Sequence, residues 1–469
     1  MSAISKVAET SQALAFTKHL SRKELLAKGK ALRDKCPRKS HSDWNPPKDR
    51  PDPVALIKEG DKDRLAELLP LRHARMLQSP FTFYRGAALN MAQDLAHLPA
   101  TGVHVQCCGD AHLGNFRGFG TPERHVNFDI HDLDETLPAP WEWDVKRLAT
   151  SFVVACRDNG FSKGCAEDSL LTCVRSYREH MAEYSEMDAL DVWYAKLDAD
   201  KLVANMQDAE ARHVVRKRLA KERARGALEH DFPKLVHSAG ELLRIKENPP
   251  TIYHPKKERH AFFPQDALEA FSHYRETLPA STRVLLERYE FKDIAVKVVG
   301  VGSVGTRCFV LLLMADEKAP LFLQVKEARS SVLEAYAGKS AFRHHGERVV
   351  NGHRMMQSAS DIFLGWTTSP EGRHFYIRQM RDVKVKPIIE NFTPSFMVQF
   401  AEWCGHTLAR AHARSGDAAV ISGYLGKSDA FDEAIAVFSV AYADQTERDH
   451  AALEKAVRNG RLEVLMERG

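Results

Sequence analysis

Residues 298–313 read VVGVGSVGTRCFVLLL. Gly300, Gly302 and Gly305 stand in G-x-G-x-x-G spacing. The flanking residues separate the meanings that spacing can have. A dinucleotide-binding turn runs from its glycines into a helix. Here an apolar run with Phe309 and β-branched Val310 follows, which predicts a strand. A Walker loop ends in Gly-Lys-Ser or Gly-Lys-Thr, and neither occurs. What remains is strand, glycine turn, strand. Without a Cβ in the way, backbone N–H groups of such a turn can approach phosphates closely.

Working outward, five strands are expected: Ile294–Val299, Arg307–Met314, Leu321–Val325, Asp361–Trp366 and His374–Met380. The third ends at Lys326, 21 residues beyond Gly305 (326 minus 305). Protein kinases fold a glycine-rich turn over the ATP phosphates and place a lysine on the third strand to contact them. A helix, roughly Ser340–Ser360, follows the third strand. In kinases it supplies a glutamate to the lysine, for which Glu334 and Glu347 are the candidates. Glu327, next to the lysine, is expected to face away. The alternative is a plain β-meander with a solvated lysine.

A second constellation lies far upstream. Residues 107–116 read CCGDAHLGNF, with Asp110 and Asn115 five apart, as in a kinase catalytic loop. In that reading Asp110 orients a substrate hydroxyl and accepts its proton, and Asn115 holds Mg²⁺ by its amide oxygen. A further carboxylate must carry the metal against the phosphates. Asp129, in HVNFDIHDLDET, is the expected ligand, with Asp132 and Asp134 close behind. An Asx-rich surface turn is the alternative. A zinc site at Cys107, Cys108 and His112 has the wrong cysteine spacing.

Gly109-Asp-Ala-His-Leu-Gly-Asn115 followed by Phe128-Asp129-Ile130 resembles the signature of aminoglycoside and choline phosphotransferases, small-molecule members of the protein-kinase-like superfamily. Asp144-Val-Lys-Arg-Leu-Ala149 is similar to the helix start that follows in that group. Longer stretches resemble the uncharacterised bacterial family called domain of unknown function 2252. These are SPFTFYRGAA (79–88), PWEWDVKRLA (140–149), QVKEARSSVLE (324–334) and LARAHARSGD (408–417), together with the two loops above. That resemblance spans most of residues 60–450 and implies a kinase-like fold.

The order of the parts departs from kinases. The catalytic-type loop, at 110, precedes the glycine turn at 300 and the lysine at 326. A circular permutation accounts for this, since joining nearby termini and cutting an exposed loop need not disturb a core. Helix Phe400–Arg414 resembles the one that normally precedes the catalytic loop. Cys108 stands where kinase relatives usually have His, which leaves room for a degenerate enzyme. The expected fold is α+β and protein-kinase-like, circularly permuted, with a five-stranded antiparallel N-lobe-like sheet and a larger helical lobe. Residues 1–60 are expected to form a basic extension and linker, 61–290 a helical part carrying both acidic loops, 291–385 the sheet, and 386–469 closing helices. From Trp143 to about Gln265 the pattern reads as mostly helical.

Composition sets the outer limits. The 469 residues are 44% hydrophobic and 28% charged, which fits a globular protein and rules out wholesale disorder. Sixty-seven Lys and Arg against 63 Asp and Glu give a net charge of +4, too small to argue for nucleic acid. The basic run His213–Arg225 reads as a solvated helix. No apolar run approaches the ~20 residues that span a bilayer. The N-terminus lacks a secretory pattern, so a cytoplasmic protein with dispersed, reduced cysteines is expected. Tyr84-Arg85 leads into a helix, where Arg85 suits either an acidic substrate or a salt bridge. Trp141, Trp143 and His412 read as structural. The functional expectation is a phosphotransferase that uses ATP and Mg²⁺ on a small hydroxylated acceptor. A nucleotide-binding scaffold and a nucleotidyltransferase are its rivals.

Overall fold

In the computed structural model, residues 20–224, 236–239, 242–254, 264–298, 300–317, 319–380 and 384–466 are described. Val299, the expected end of the first strand, residues 1–19 of the basic extension and Arg225 of the basic run lie outside them. In chain order the strands are β1 (His104–Cys107), β2 (Phe116–Gly120), β3 (Val126–Ile130), β4 (Leu137–Pro140), β5 (Val236–Ala239), β6 (Leu242–Ile245), β7 (Ile252–Tyr253), β8 (Glu290–Lys297), β9 (Cys308–Met314), β10 (Pro320–Glu327), β11 (Gly365–Thr368), β12 (His374–Gln379) and β13 (Lys384–Val385).

The apolar run after the glycines becomes β9, the best-covered strand of the main sheet. Every residue from Cys308 to Met314 is buried. Alternation explains why both parities are apolar. Phe309, Leu311 and Leu313 join a core with Tyr274, Leu278 and Leu286 on one face. Val310, Leu312 and Met314 join a second core on the other face, with Val236 and Ile245. The register pairs Lys326 with Cys308, Gln324 with Val310 and Phe322 with Leu312. Even-numbered residues of β10 therefore share the second face, which is where Lys326 leaves the sheet. A one-residue slip would turn it to the opposite core.

Among the described residues, the sheet is antiparallel and has six strands, not the expected five. Its order is β11-β12-β10-β9-β8-β7. The additional strand, β7, pairs Ile252 with Lys297 at the edge of β8. The hairpin β5–β6 also falls within the segment read as helical. It forms because its apolar residues cover the second face of β9, and Ile245 N–H is bound by Asp293 at 2.7 Å. The fourth expected strand begins at Gly365 rather than Asp361. The Asp361 carboxylate instead accepts the N–H of Phe363 at 2.8 Å and closes a local turn.

The rest of the chain is largely helical. Helices Trp141–Asp158, Lys163–Glu186, Pro394–Ser415 and Ala430–Arg458 enclose the largest core. Trp141 is fully buried there, stacked on Tyr177 with ring centroids 5.7 Å apart. The basic N-terminal segment is fastened to this body. Arg33 and Arg38 bind the carbonyls of Gly423, Tyr424 and Leu425 at the end of helix Ala418–Leu425, where cations are favoured. All eight cysteines are buried and free. Among the described residues, no helix is long and apolar enough to cross a membrane.

Candidate functional site

The loop after β1 is held from below by one face of helix Trp141–Asp158. Asp144, Arg147 and Ser151 fall at helical spacing and all point to it. The Asp144 carboxylate accepts the backbone N–H of Cys108 at 2.5 Å and of Gly109 at 3.0 Å. Ser151 Oγ accepts the N–H of Leu113 at 3.0 Å. Arg147 binds Asp110 Oδ1 through Nε at 2.8 Å and through its terminal nitrogen at 2.5 Å. Burial lowers the Arg147 pKa, and the Asp110 charge more than reverses that. Gly109 lets the loop turn here. Its φ is +79°, and a Cβ would sit 2.3 Å from the carbonyl of Glu135.

Asn115 ties this loop to the acidic turn after β3. Its Oδ1 accepts the N–H of Asp132 at 2.8 Å, and its Nδ2 donates to the carbonyl of Asp132 at 2.7 Å. The Asp132 side chain keeps 37% of its surface exposed and that of Asp134 26%. Lys326, 2% exposed, reaches both from β10, at 3.2 Å from Asp132 and closer still to Asp134. Burial opposes ionisation of Asp132, but Lys326 and Arg378 outweigh it and hold its carboxyl far below the usual range. Asp134 is pushed up by burial and by the Asp132 charge, against the pull of Lys326. Tyr376 donates to Asp134 at 2.7 Å.

The glycine turn closes the other side. Its Val301–Ser303 segment is a single 3-10 turn. Leu65 N–H binds the carbonyl of Gly305 at 2.7 Å, and Arg64 binds that of Val304 at 2.6 Å. Ser303 Oγ lies 3.4 Å from Asp134. Asp110, Asn115, Asp132, Asp134, Gly300, Gly302 and Lys326 thus line one cleft with a cavity of about 390 Å³.

Residues 64–456 match the family described as "Uncharacterized protein conserved in bacteria (DUF2252)". The chain belongs to this family. No curated protein and no solved structure matches it. The DUF2252 match contains both acidic loops, the glycine turn and Lys326, and of the residues lining the cleft only Leu56, Ile57 and Gly60 precede it.

Four residues expected at the site of this DUF2252 protein do not line the cleft: Gly305, which ends the turn with its carbonyl bound by Leu65, and Asp129, Glu334 and Glu347. Asp129 is completely buried on β3. One carboxylate oxygen is paired with Arg410, and the other accepts the N–H and hydroxyl of Ser358, both at 2.8 Å. The carboxylate that faces Asn115 is Asp132, three residues later. Glu334 sits 3.9 Å from both Lys339 and His345, and Glu347 stands in the first turn of helix His345–Met356. Neither lines the cleft. That helix presents its next residue instead. Arg348 donates to the carbonyls of Thr136, Asp134 and Arg329. A helix turns about 100° per residue, so Arg348 facing the acidic turn carries Glu347 away from it. Glu327, expected to face away, is among the residues lining the cleft, but it is buried and paired with Arg307 and Arg373 rather than with Lys326.

Sequence reading missed Arg147, Arg348 and Arg378. The i,i+3 spacing of Asp144 and Arg147 in a helix start was the available signal for the first. Cys107, Asp144 and His412 come together in the core as a group that could hold a metal. Their hydrogen bonds give them another role. Cys107 donates to the carbonyls of Ala139 and Pro140, burial and the Asp144 charge keep its thiol protonated, and His412 bridges Tyr177 and Asp144. The cluster supports the Asp110 loop. His112, 3.9 Å from Asp110, is pushed down to about 3 by burial and is neutral.

Proposed function

We propose that this protein is a phosphotransferase with a circularly permuted kinase-like fold, moving the γ-phosphoryl group of ATP to a small hydroxylated acceptor. One observation carries the reading. Lys326 and the glycine turn share a single cleft with Asp110, Asn115 and Asp132, about 200 residues away in sequence.

The donor set fits Mg²⁺, a hard cation that takes oxygen ligands. Asn115 Oδ1, which also accepts the N–H of Asp132, and the carboxylates of Asp132 and Asp134 are the oxygen donors that would hold it, and both carboxylates are partly exposed and line the cleft. The turn fits a phosphate, since a Cβ at Gly300 would meet nothing within 4 Å and the backbone is approachable. When bound, Mg²⁺ neutralises charge on the phosphates. The protein's own contribution is positioning. Lys326 is fixed on a sheet strand beneath the turn. Arg147 occupies Asp110 Oδ1 and leaves Oδ2 to orient the acceptor hydroxyl. The acceptor oxygen bonds to phosphorus, the bond from phosphorus to the ADP oxygen breaks, and the hydroxyl proton passes to Asp110 Oδ2.

Calorimetry with Mg-ATP tests this. The expected result is binding by wild type that weakens at least tenfold in both Lys326→Ala and Asp132→Asn. Folded wild type that binds no Mg-ATP would overturn the proposal. Label from the γ-phosphate on an acceptor separates phosphoryl transfer from nucleotidyl transfer, which would deliver label from the α-phosphate. One feature favours the binding-only scaffold: Lys326 is paired with Asp132 and Asp134 rather than with a helix glutamate. ATP binding without transfer to any acceptor would support that second reading.

A further inference from the structure

A second group of cations lines the cleft without a part in the scheme above. Arg85 lies at the end of helix Pro80–Gly86, Arg117 on β2, and Lys386 just after β13. Among the described residues, none of the three side chains makes a hydrogen bond or an ion pair. The Arg85 guanidinium lies over the ring of Phe81, 5.8 Å from its centroid. The Nε atoms of Arg85 and Arg117 are buried without a partner.

That is not how this protein treats its other buried arginines. Arg72, Arg348, Arg410 and Arg414 also leave Nε without a hydrogen bond, and Arg410 leaves Nη1 so as well, but each donates to protein atoms through at least one terminal nitrogen, and Arg72 Nε lies 3.4 Å from Asp61. Arg50, Arg147 and Arg178 are held by carboxylates. Among the described residues, Arg85 and Arg117 donate no side-chain hydrogen bond to the protein, and the three cations repel one another. Asp110 and Glu390 act on Arg85, Asp132 on Arg117 and Glu390 on Lys386, all from beyond ion-pairing distance. Gathering unpaired charge in a cleft costs stability unless a ligand compensates it.

The topology says which side of the reaction Arg117 and Lys386 serve, while Arg85 stands between that side and the glycine turn, its carbonyl 3.4 Å from where a Cβ of Gly302 would be. Lys326 and the glycine turn belong to the six-stranded sheet. Arg117 lies on β2 of the three-stranded sheet β13-β2-β3, and Lys386 directly follows that sheet's edge strand. The same sheet is joined to Asn115 and the acidic turn. We propose that Arg85, Arg117 and Lys386 form an anion subsite beside Asp110, so that the acceptor carries a phosphate or carboxylate as well as its hydroxyl. This rests on the phosphotransfer reading. The anionic group is held, not changed: the hydroxyl oxygen alone bonds to the transferred phosphorus, with ADP leaving.

The test uses the full chain saturated with the Mg²⁺ complex of a non-hydrolysable ATP analogue. Methyl phosphate and acetate are titrated separately and followed by NMR. The expected result is binding of at least one of them, weakened at least tenfold in Arg117→Gln and in Lys386→Gln, with nucleotide affinity kept within twofold. The probe that binds names the anion. Thermal midpoints of both variants should hold or rise, because removing one of three like charges relieves repulsion. A fall of several degrees would mark these side chains as structural and overturn the subsite. So would displacement of the probes by the nucleotide, or equal loss of nucleotide affinity, either of which assigns the cations to the donor phosphates. Nucleotide binding with no anion binding sinks the subsite and leaves phosphotransfer standing. Anion binding through these residues without nucleotide binding sinks phosphotransfer and upholds an anion subsite.

Discussion

The ammonium of Lys326 lies 3.2 Å from the carboxylate of Asp132, 194 residues away along the chain. The same lysine reaches Asp134, so one buried cation bridges the two carboxylates of the acidic turn. The main sheet and the helical body meet at this contact.

The helix behind the lysine should matter through Arg348 and not through its glutamates. Glu334→Gln and Glu347→Gln are expected to leave Mg-ATP affinity within twofold. Arg348→Met frees three carbonyls that it now binds, two of them in the acidic turn. At about 1–3 kcal/mol per buried group left unpaired, it should lower stability and weaken the nucleotide. Calorimetry and urea unfolding on the three variants check this, and a large loss in Glu347→Gln would reject it.

Two glycines should respond differently to alanine. Gly109 has a positive φ and no room for a Cβ, so Gly109→Ala should destabilise by at least about 1–2 kcal/mol. Gly300 has open space where its Cβ would stand. Gly300→Ala should keep the thermal midpoint of wild type and still weaken nucleotide binding, because the methyl group intrudes on the phosphates. Equal midpoints for the two variants would count against this account.

Asp129 and Arg410 form an ion pair with both side chains fully buried. Arg410→Met should cost about 3–5 kcal/mol, since it leaves a buried carboxylate without its cation. Adding Asp129→Leu should recover part of that loss, with Ser358 limiting the recovery. Urea denaturation of the two single variants and the double variant measures the coupling. Additive losses would mean the pair contributes nothing as a pair.

Acid should weaken the fold partly through buried histidines. Burial pushes His41, His112 and His353 each down to about 3. The unfolded chain takes up these protons near pH 6.5 while the folded chain does not. Their stabilisation is therefore complete above that pH and declines as pH falls toward 3, by up to about 2 kcal/mol per histidine at pH 5. The raised carboxyls of Asp134, Glu135 and Glu142 act in the opposite sense, because the folded state takes up their protons first. Between pH 7 and pH 5, His353→Gln should lose less stability than wild type by up to about 2 kcal/mol. Parallel urea midpoints across that range would contradict the assignment.

Much of the site was legible because its signals are local. The run Cys308–Met314 is apolar at both parities, which marks a strand covered on two faces, and it is one. Glycines without a following helix pointed to a turn between strands. Asp110 and Asn115 were recognisable from their spacing. The hairpin β5–β6 was not legible. Its strands are four residues each, too short to show a period, and they are ordered by the face of β9 that they cover.

By itself the sequence determined the strands on either side of the glycine turn, the turn itself and which side chains have the chemistry for phosphate and metal, since propensity and spacing act over a few residues. The tertiary structure alone decided which of those side chains meet. Asp129 and Asp132 lie three residues apart, and the pattern along the chain favours Asp129. Arg410, from a helix some 280 residues away, draws Asp129 into the core, and Asn115 holds Asp132 at the cleft. Glu334 and Glu347 are equally plausible partners for a lysine. The rotation of one helix presents Arg348 to the acidic turn, and Lys326 pairs with Asp132 and Asp134. Burial and charge pairing are properties of assembled neighbours, and those neighbours come from distant segments whose contact no local pattern records.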